Sequence, residues 1–278
     1  MTQELGLSER RACRLLSLCR GTVQYRTQPK PDEPVLRARM RELAMQRGGF
    51  GSPRPTLLLR REFPNLNHKR AERLYALERL QVQFRRRKHR KCLPAPRPIA
   101  VPTRPLERWS INFVSDALAA GRRFRILTVV DDFDPSSPRL KPGACLTGRH
   151  VTDPLDQLHD TTGLPRTIVV DNGTEFANRA MLDWAHKRGV YLHFIAPGKR
   201  TQNAFVVSFN CRLRAECLNL HWCADLDEAR AKFEAWRIDY NTVRPHGPLG
   251  KLTPEAFRRQ AMQAATRSSR RTASHPMA

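Results

Sequence analysis

Acidic residues are scarce in this 278-residue chain, which has 26 Asp and Glu residues against 50 Lys and Arg residues and a formal net charge of +24 at pH 7. So large an excess of positive charge predicts a polyanionic partner, and nucleic acid is favoured over an anionic membrane. No apolar run approaches the roughly 18 residues that a membrane span needs, and the opening Met-Thr-Gln-Glu does not resemble a signal peptide. The sequence therefore predicts a cytoplasmic protein that binds nucleic acid.

Paired metal-ligating residues are missing as well. The chain has no Cys-x-x-Cys pair, and no two histidines have the spacing of a zinc finger. The cysteines lie at positions 13, 19, 92, 145, 211, 217 and 223. Cys217, His221 and Cys223 are close in sequence, but buried or unreactive thiols are favoured over a metal site there.

The first segment, residues 1–27, has apolar residues at helical spacing between Ala12 and Val23, and its other positions include Arg10, Arg11, Arg14, Arg20 and Arg26. Gly21 and Thr22 interrupt this pattern. The segment therefore predicts two short helices, either a helix-turn-helix-like unit that contacts DNA or a plain solvated helical face.

A basic helical module is predicted over residues 35–93, with Asn67 as the N-cap of its third helix. Pro53 and Pro55 are expected to disturb the start of its second helix. The run RRRKHRK at residues 85–91 predicts contacts with phosphates, and the alternative is the solvated end of a helix.

Alternating strands and helices follow a proline-rich linker over residues 94–106. The periodicity predicts an α/β domain over residues 107–260, with strands at 109–113, 125–130, 167–170 and 191–195 and helices at 151–161, 175–187, 203–220 and 226–240. Pro135, Pro138 and Pro142 interrupt residues 134–146, so no strand is expected there. The Arg- and Ser-rich tail, residues 261–278, is predicted to be disordered.

Three motifs connect this chain to a known family: DNGTEF at 171–176, QNAFVVSFNCRLRAECLN at 202–219 and YNTVRPHGPLG at 240–250. With them the chain resembles the transposases encoded by the second reading frame of bacterial insertion elements, which carry an integrase-like core. The resemblance covers roughly residues 5–260. Where the family usually has Tyr-Gly-x-Arg-Arg, this chain has Phe-Gly-Ser-Pro-Arg at 50–54.

The resemblance implies a ribonuclease-H-like fold, in which a mixed five-stranded sheet is flanked by helices and preceded by small basic helical DNA-binding modules. Residues 134–146 do not match the family, so its edge strand is expected to be lost. A compensated pair of frameshifts in the coding DNA is a hypothesis for this segment, and intact relatives that encode the same residues would contradict it.

The family holds Mg²⁺ or Mn²⁺ with three carboxylates, and the matching positions here are Asn112, Asp171 and Val207. Asp171 is thus the one surviving catalytic and metal-binding acid, and the resemblance implies weak metal binding and severely impaired strand transfer. Glu175 and Asp132 remain open as replacement ligands. Asp116 is expected about 13 Å from Asn112 along an extended strand, and Glu216 on the opposite face of the helix that carries Val207.

Double-stranded DNA is the partner implied, both the terminal repeats of the element and its target, in the bacterial cytoplasm and nucleoid. Copies of the chain itself and the first-reading-frame protein are further expected partners. The candidate DNA-binding residues are Arg10, Arg11, Arg14, Arg85, Arg86, Arg87, Lys88, Arg90, Lys91, Gln202, Asn203, Ser208, Asn210, Arg212, Arg214, Arg244 and His246.

Three other functions stay open at this point. The chain could still be a working enzyme that uses Asp171 with unconventional ligands. It could be a binding module that occupies element ends and inhibits intact transposase. An RNA-binding protein without a history of recombination is a third reading, but that reading does not explain the core motifs.

Overall fold

The computed structural model describes residues 8–25, 30–82, 101–196 and 203–273, with side chains described up to residue 266. Its α-helices are α1 (Glu9–Leu15), α2 (Arg20–Gln24), α3 (Glu33–Gln46), α4 (Pro53–Glu62), α5 (His68–Leu77), α6 (Arg149–Thr161), α7 (Arg179–Arg188), α8 (Ala204–Glu216), α9 (Leu226–Thr242) and α10 (Pro254–Ala273). Its strands are β1 (Arg108–Ala117), β2 (Arg123–Asp131), β3 (Arg139–Gly143), β4 (Thr167–Val170) and β5 (Tyr191–Phe194). The basic run at 85–91 and Gln202 lie outside the described residues.

Two short helices, α1 and α2, occupy the first segment. The backbone N–H of Arg11 donates to the Ser8 hydroxyl, which caps α1. The break lies at residues 16–19, and α2 runs through Gly21 and Thr22, so the predicted position of the break is wrong.

The helices α3, α4 and α5 pack around one apolar cluster that includes Leu36, Met40, Leu59 and Leu74. The Asn67 side chain accepts from the backbone N–H of Lys69 and caps α5, as predicted. The two prolines do not disturb α4, which begins at Pro53. Both lie in the first helical turn, where a backbone N–H has no partner within the helix to lose.

A mixed five-stranded sheet, in the order β3-β2-β1-β4-β5, forms the centre of the larger domain. β1 pairs with β2, and β2 with β3, in antiparallel fashion, whereas β4 is parallel to both β1 and β5. Because successive strand residues point to opposite faces, Trp109 and Ile111 of β1 face α6 and α7, and Val114 faces α8 and α9. The sheet is therefore covered by helices on both faces.

The edge strand β3 is present, so the expected loss of this strand is wrong. Leu140 and Pro142 are both buried and alternate with partly exposed neighbours, which is the period-2 pattern of a strand packed on one face. An edge strand has a ladder partner on one side only, so it tolerates proline. Asn241 of α9 also holds the turn before β3, because it accepts from the Ser137 N–H and donates to the Ser137 carbonyl, both at 2.9 Å.

The C-terminal helix α10 extends to Ala273, so residues 261–273 do not show the predicted disorder. Alanine, glutamine, methionine and arginine in this stretch are good helix formers, and the prediction gave too much weight to Arg, Ser and Thr. Arg258 anchors the helix on the core, because its guanidinium donates to the buried carboxylates of Asp131 (2.8 Å) and Asp134.

Candidate active site

A cleft of about 750 Å³ opens where β1, β4 and α8 meet. Asn112 lies in the middle of β1, Asp171 directly follows β4, and Val207 lies in the first turn of α8, and all three line this cleft. β1 and β4 are adjacent parallel strands. This pairing brings Asn112 and Asp171 together, although they are 59 positions apart in the chain. Among the described residues, Arg214 of α8 is the one arginine in the lining.

Asp171 is the first residue of the loop after β4, and this loop fixes the position of its side chain. Its Oδ1 accepts from the backbone N–H of Gly173 at 3.0 Å. Asn172 donates to the Ile195 carbonyl at 2.8 Å and ties this loop to the end of β5. The following helix begins only at Arg179, later than predicted, because the Asn178 side chain caps it by accepting from the Met181 N–H at 2.9 Å.

The other two matched positions offer little to a cation. The Oδ1 of Asn112 accepts from the backbone N–H of Phe113 at 2.7 Å, so this neutral oxygen is already engaged. Val207 is 37% exposed and presents only methyl groups. Asn203 and Asn210 also line the cleft, and each has a buried Oδ1 without a hydrogen-bond partner among the described residues.

Glu175 is an acid that lies close to Asp171. A Cβ placed on Gly173 would lie 2.9 Å from the Oδ1 of Asp171 and 2.8 Å from the Oε2 of Glu175, so the two carboxylates lie in one neighbourhood. Glu175 forms an ion pair with Arg125 of β2, and this pairing lowers the pKa of Glu175. Its charge is thus already compensated.

The remaining acids named by the sequence lie elsewhere. Asp132 is buried and pairs with Arg108 at 2.5 Å; Arg108 is four residues before Asn112 on β1, a separation of about 13 Å. Glu216 pairs with Arg244 on the other side of α8. No group of three or more His, Cys, Asp or Glu side chains that could hold a metal ion occurs within the described residues.

The candidate DNA-binding residues divide by exposure. Arg10, Arg11 and Arg14 of α1 and Ser208 and Arg214 of α8 are exposed, and Arg212 and Asn210 are partly exposed. Asn203 is only 2% exposed and donates to the Ile111 carbonyl at 3.4 Å, so it packs α8 against β1 and offers no free surface to DNA.

Arg244 and His246 are buried as well, which corrects their assignment to the DNA surface. Arg244 is 2% exposed and donates to both carboxylate oxygens of Glu216, at 2.8 and 2.5 Å. The Nε2 of His246 lies 3.2 Å from the Tyr240 carbonyl. Burial, assisted by the charge of Arg244, lowers the pKa of His246 to about 3, so the ring is neutral and structural.

Sequence reasoning missed the pairing of Arg125 with Glu175, 50 residues apart, and the role of Arg54, which lies 3.3 Å from Glu216. No local pattern indicates the first pair. The second had a signal, since Arg54 ends the segment that departs from the family's Tyr-Gly-x-Arg-Arg motif.

This sheet order, with helices on both faces and the cleft at the ends of β1 and β4, defines an integrase core of the ribonuclease-H-like class. Two overlapping segments match integrase core domains, residues 102–200 and residues 188–254. The structure is also similar to an intasome of simian T-cell lymphotropic virus in complex with PP2A regulatory subunit B56 gamma, with a TM-score of 0.53, 15% identity, and coverage of 79% of this chain and 73% of that chain. This likeness shows the fold.

Sequence relatives give the family. The chain is 44% identical over 255 residues to a 31.7 kDa protein of insertion element IS407 from Burkholderia multivorans, with 92% of each covered. It is 25% identical over 261 residues, 89% of this chain and 92% of the relative, to InsK, the protein assigned as transposase of insertion sequence element IS150 in Escherichia coli (strain K12). The chain belongs to the insertion-element transposases that carry an integrase-like core.

Within the described ranges, no helix is long and apolar enough to cross a membrane.

Proposed function

We propose that this protein is a DNA-binding transposase whose cleft no longer supports metal-dependent strand transfer. The observation that carries the proposal is the composition of the cleft: of the three matched positions, Asn112, Asp171 and Val207, one has a carboxylate. Glu175, an acid close to Asp171, is paired with Arg125.

The residues present do not fit the metal ions that the family uses. Two Mg²⁺ ions bring four positive charges, and such ions are held mainly by carboxylates. Removing one carboxylate at about 4 Å removes roughly 4 kcal/mol of attraction for each positive charge that it faces, at an effective dielectric near 20. A loss of that size is already about a thousandfold in affinity. Two carboxylates are missing, and Arg214 in the cleft lining adds a further positive charge.

DNA binding is supported independently of the chemistry. The net charge is +24, and exposed arginines are present on α1 and α8. The proposal includes the specific duplexes that the protein binds, which are the terminal repeats of the element and its target DNA. It also includes self-association, binding of the first-reading-frame protein, and a location in the cytoplasm beside the nucleoid.

The test is strand cleavage and transfer on DNA that carries the ends of the element, in Mg²⁺ and in Mn²⁺. The unmodified protein is compared with an Asp171→Asn variant, which removes the last acid of the cleft and keeps its size. Both proteins should show the same absence of metal-dependent products. Products that require Asp171 would overturn the proposal.

A second candidate function is inhibition, in which this chain occupies element ends and excludes an intact transposase. The folded core and the exposed Ser208 and Arg214 of α8 favour it, because they do not depend on the lost acids. Titrating the protein into a reaction of an intact relative should then reduce transfer on its ends. An unchanged yield at saturating protein would exclude inhibition.

A further inference from the structure

A second groove, of about 630 Å³, lies between the helical module and the core. Gly51, Pro53 and Arg54 line it from the module, Arg212 lines it from α8, and Lys251 lines it from the segment after α9. Cys211 lines this groove and the candidate active-site cleft alike. The two depressions therefore adjoin at Cys211 on α8.

The groove exists because segment 50–54 docks on α8 through a charged cluster. Glu216 accepts two hydrogen bonds from Arg244 and lies 3.3 Å from Arg54. The guanidinium groups of Arg54 and Arg244 stand 5.2 and 5.6 Å from the centre of the Phe50 ring, within the range of cation–π attraction. Arg47 also pairs with Asp239 of α9, at 2.6 and 2.5 Å. The module and the core thus build the groove together.

Positive charge exceeds negative charge at this groove. Glu216 is the one acidic residue in the part of the lining that the structure describes, and the Arg244 guanidinium donates to both of its carboxylate oxygens. Arg212 contacts the Tyr240 hydroxyl at 3.4 Å, and neither Arg212 nor the exposed Lys251 has an acidic partner among the described residues. Burial and the nearby charges of Arg244 and Arg212 lower the pKa of Arg54, as expected where cations are crowded.

Apolar side chains form the rest of the lining, among them Leu57, Pro53 and Pro245. A groove with an apolar floor and unpaired cations fits a sugar–phosphate backbone, whose deoxyribose faces are apolar and whose phosphates are anionic. Gly247 in the same lining has open space where a side chain would be, which permits close approach of a backbone.

We propose that this groove binds the phosphate backbone of duplex DNA, as a second contact surface that adjoins the cleft at Cys211. The proposal rests on the proposed function, because it requires that the chain bind DNA. Arg54, Arg212 and Lys251 contact phosphates, and none of them takes part in chemistry.

The test measures the fluorescence anisotropy of a labelled duplex of random sequence, titrated with full-length protein at a series of KCl concentrations. Each phosphate contact contributes about 0.9 to the slope of log K against log salt. Lys251→Gln and Arg212→Gln should each weaken binding and reduce this slope by up to about 0.9. Lys187→Gln is the matched control, because Lys187 is an exposed lysine of α7 that lines neither depression, and it should change neither quantity.

If the unmodified protein binds the duplex and the groove variants bind it with the same affinity and salt dependence as Lys187→Gln, the groove assignment alone is wrong. If the unmodified protein shows no salt-dependent binding of the duplex, both the proposed function and the groove assignment are wrong. In a second measurement, saturating duplex should protect Cys211 from alkylation by N-ethylmaleimide and leave Cys145, an exposed thiol outside both depressions, reactive. An equal alkylation rate of Cys211 with and without duplex would also contradict the proposal.

Discussion

Replacing Glu216 by glutamine should destabilise the fold strongly, although the change removes only a charge. The Glu216 side chain is 9% exposed and the Arg244 side chain is 2% exposed. After the substitution, Arg244 stays protonated and keeps its burial, but it loses its counter-charge. Removing one partner of a buried ion pair costs about 3–5 kcal/mol. The contact with Arg54 adds less, because Arg54 is 34% exposed and solvent screens it.

Urea and thermal unfolding measure this change. A loss of about 3–5 kcal/mol, at roughly 2–4 °C per kcal/mol for a chain of this size, lowers Tm by about 6–20 °C. Glu255→Gln is the control, since Glu255 is 51% exposed and pairs with Arg259 on the surface of α10; its effect should stay under about 1 kcal/mol. If Glu216→Gln costs no more than this control, the ion pair does not hold segment 50–54 and α8 together as described.

Three further predictions concern buried groups. The folded pKa of His246 is about 3, below its unfolded value of about 6.5. The unfolded chain therefore binds more protons, and stability falls as the pH drops from 6.5 towards 3; from pH 7 to 5 this loss is about 2 kcal/mol. His246→Asn should remove this loss in urea unfolding at a series of pH values, and the same pH dependence in both proteins would contradict the burial of the ring. Arg258→Gln leaves the carboxylates of Asp131 and Asp134 without their cation and should cost about 3–5 kcal/mol; an unchanged Tm would contradict this anchoring of α10. Burial raises the pKa of Cys217 to about 12, so this thiol should resist alkylation at pH 8 until the chain unfolds, and rapid labelling in the native protein would contradict its burial.

Patterns within one element were sufficient to predict most of the fold. Apolar alternation located β1 and β2, and the apolar run before Asp171 located β4. Asn67 was predicted as an N-cap from its position before a helical pattern, and its side chain does cap α5. These features depend on residues that are near one another in the chain.

Features that depend on distant residues could not be predicted. Strand β3 forms in spite of the prolines in and before it, and Asn241, 104 positions after Ser137, fixes the turn that precedes the strand. Arg244 is buried because Glu216, 28 residues earlier, neutralises it; from sequence alone, an arginine in a basic DNA-binding protein is read as a DNA contact.

The candidate cleft was predictable only through the resemblance to a family. Nothing in the local sequence around Asn112 or Val207 indicates that the family has an acid at either position. The parallel pairing of β1 with β4 and the packing of α8 on the sheet bring these positions to Asp171. The ion pair of Glu175 with Arg125, which engages an acid close to Asp171, could not be predicted from the sequence.

The most direct test of the proposed loss of two acids is to place acids at the two positions. Asn112→Asp is isosteric, and Val207→Glu replaces a side chain that is 37% exposed in the cleft lining, so both acids have room. The unmodified protein and the double variant are assayed for strand cleavage and transfer on element-end DNA in Mg²⁺ and Mn²⁺. We predict that only the double variant cuts the DNA. Equal cutting by the unmodified protein would contradict the assignment of Asn112 and Val207 as the positions of the lost metal ligands.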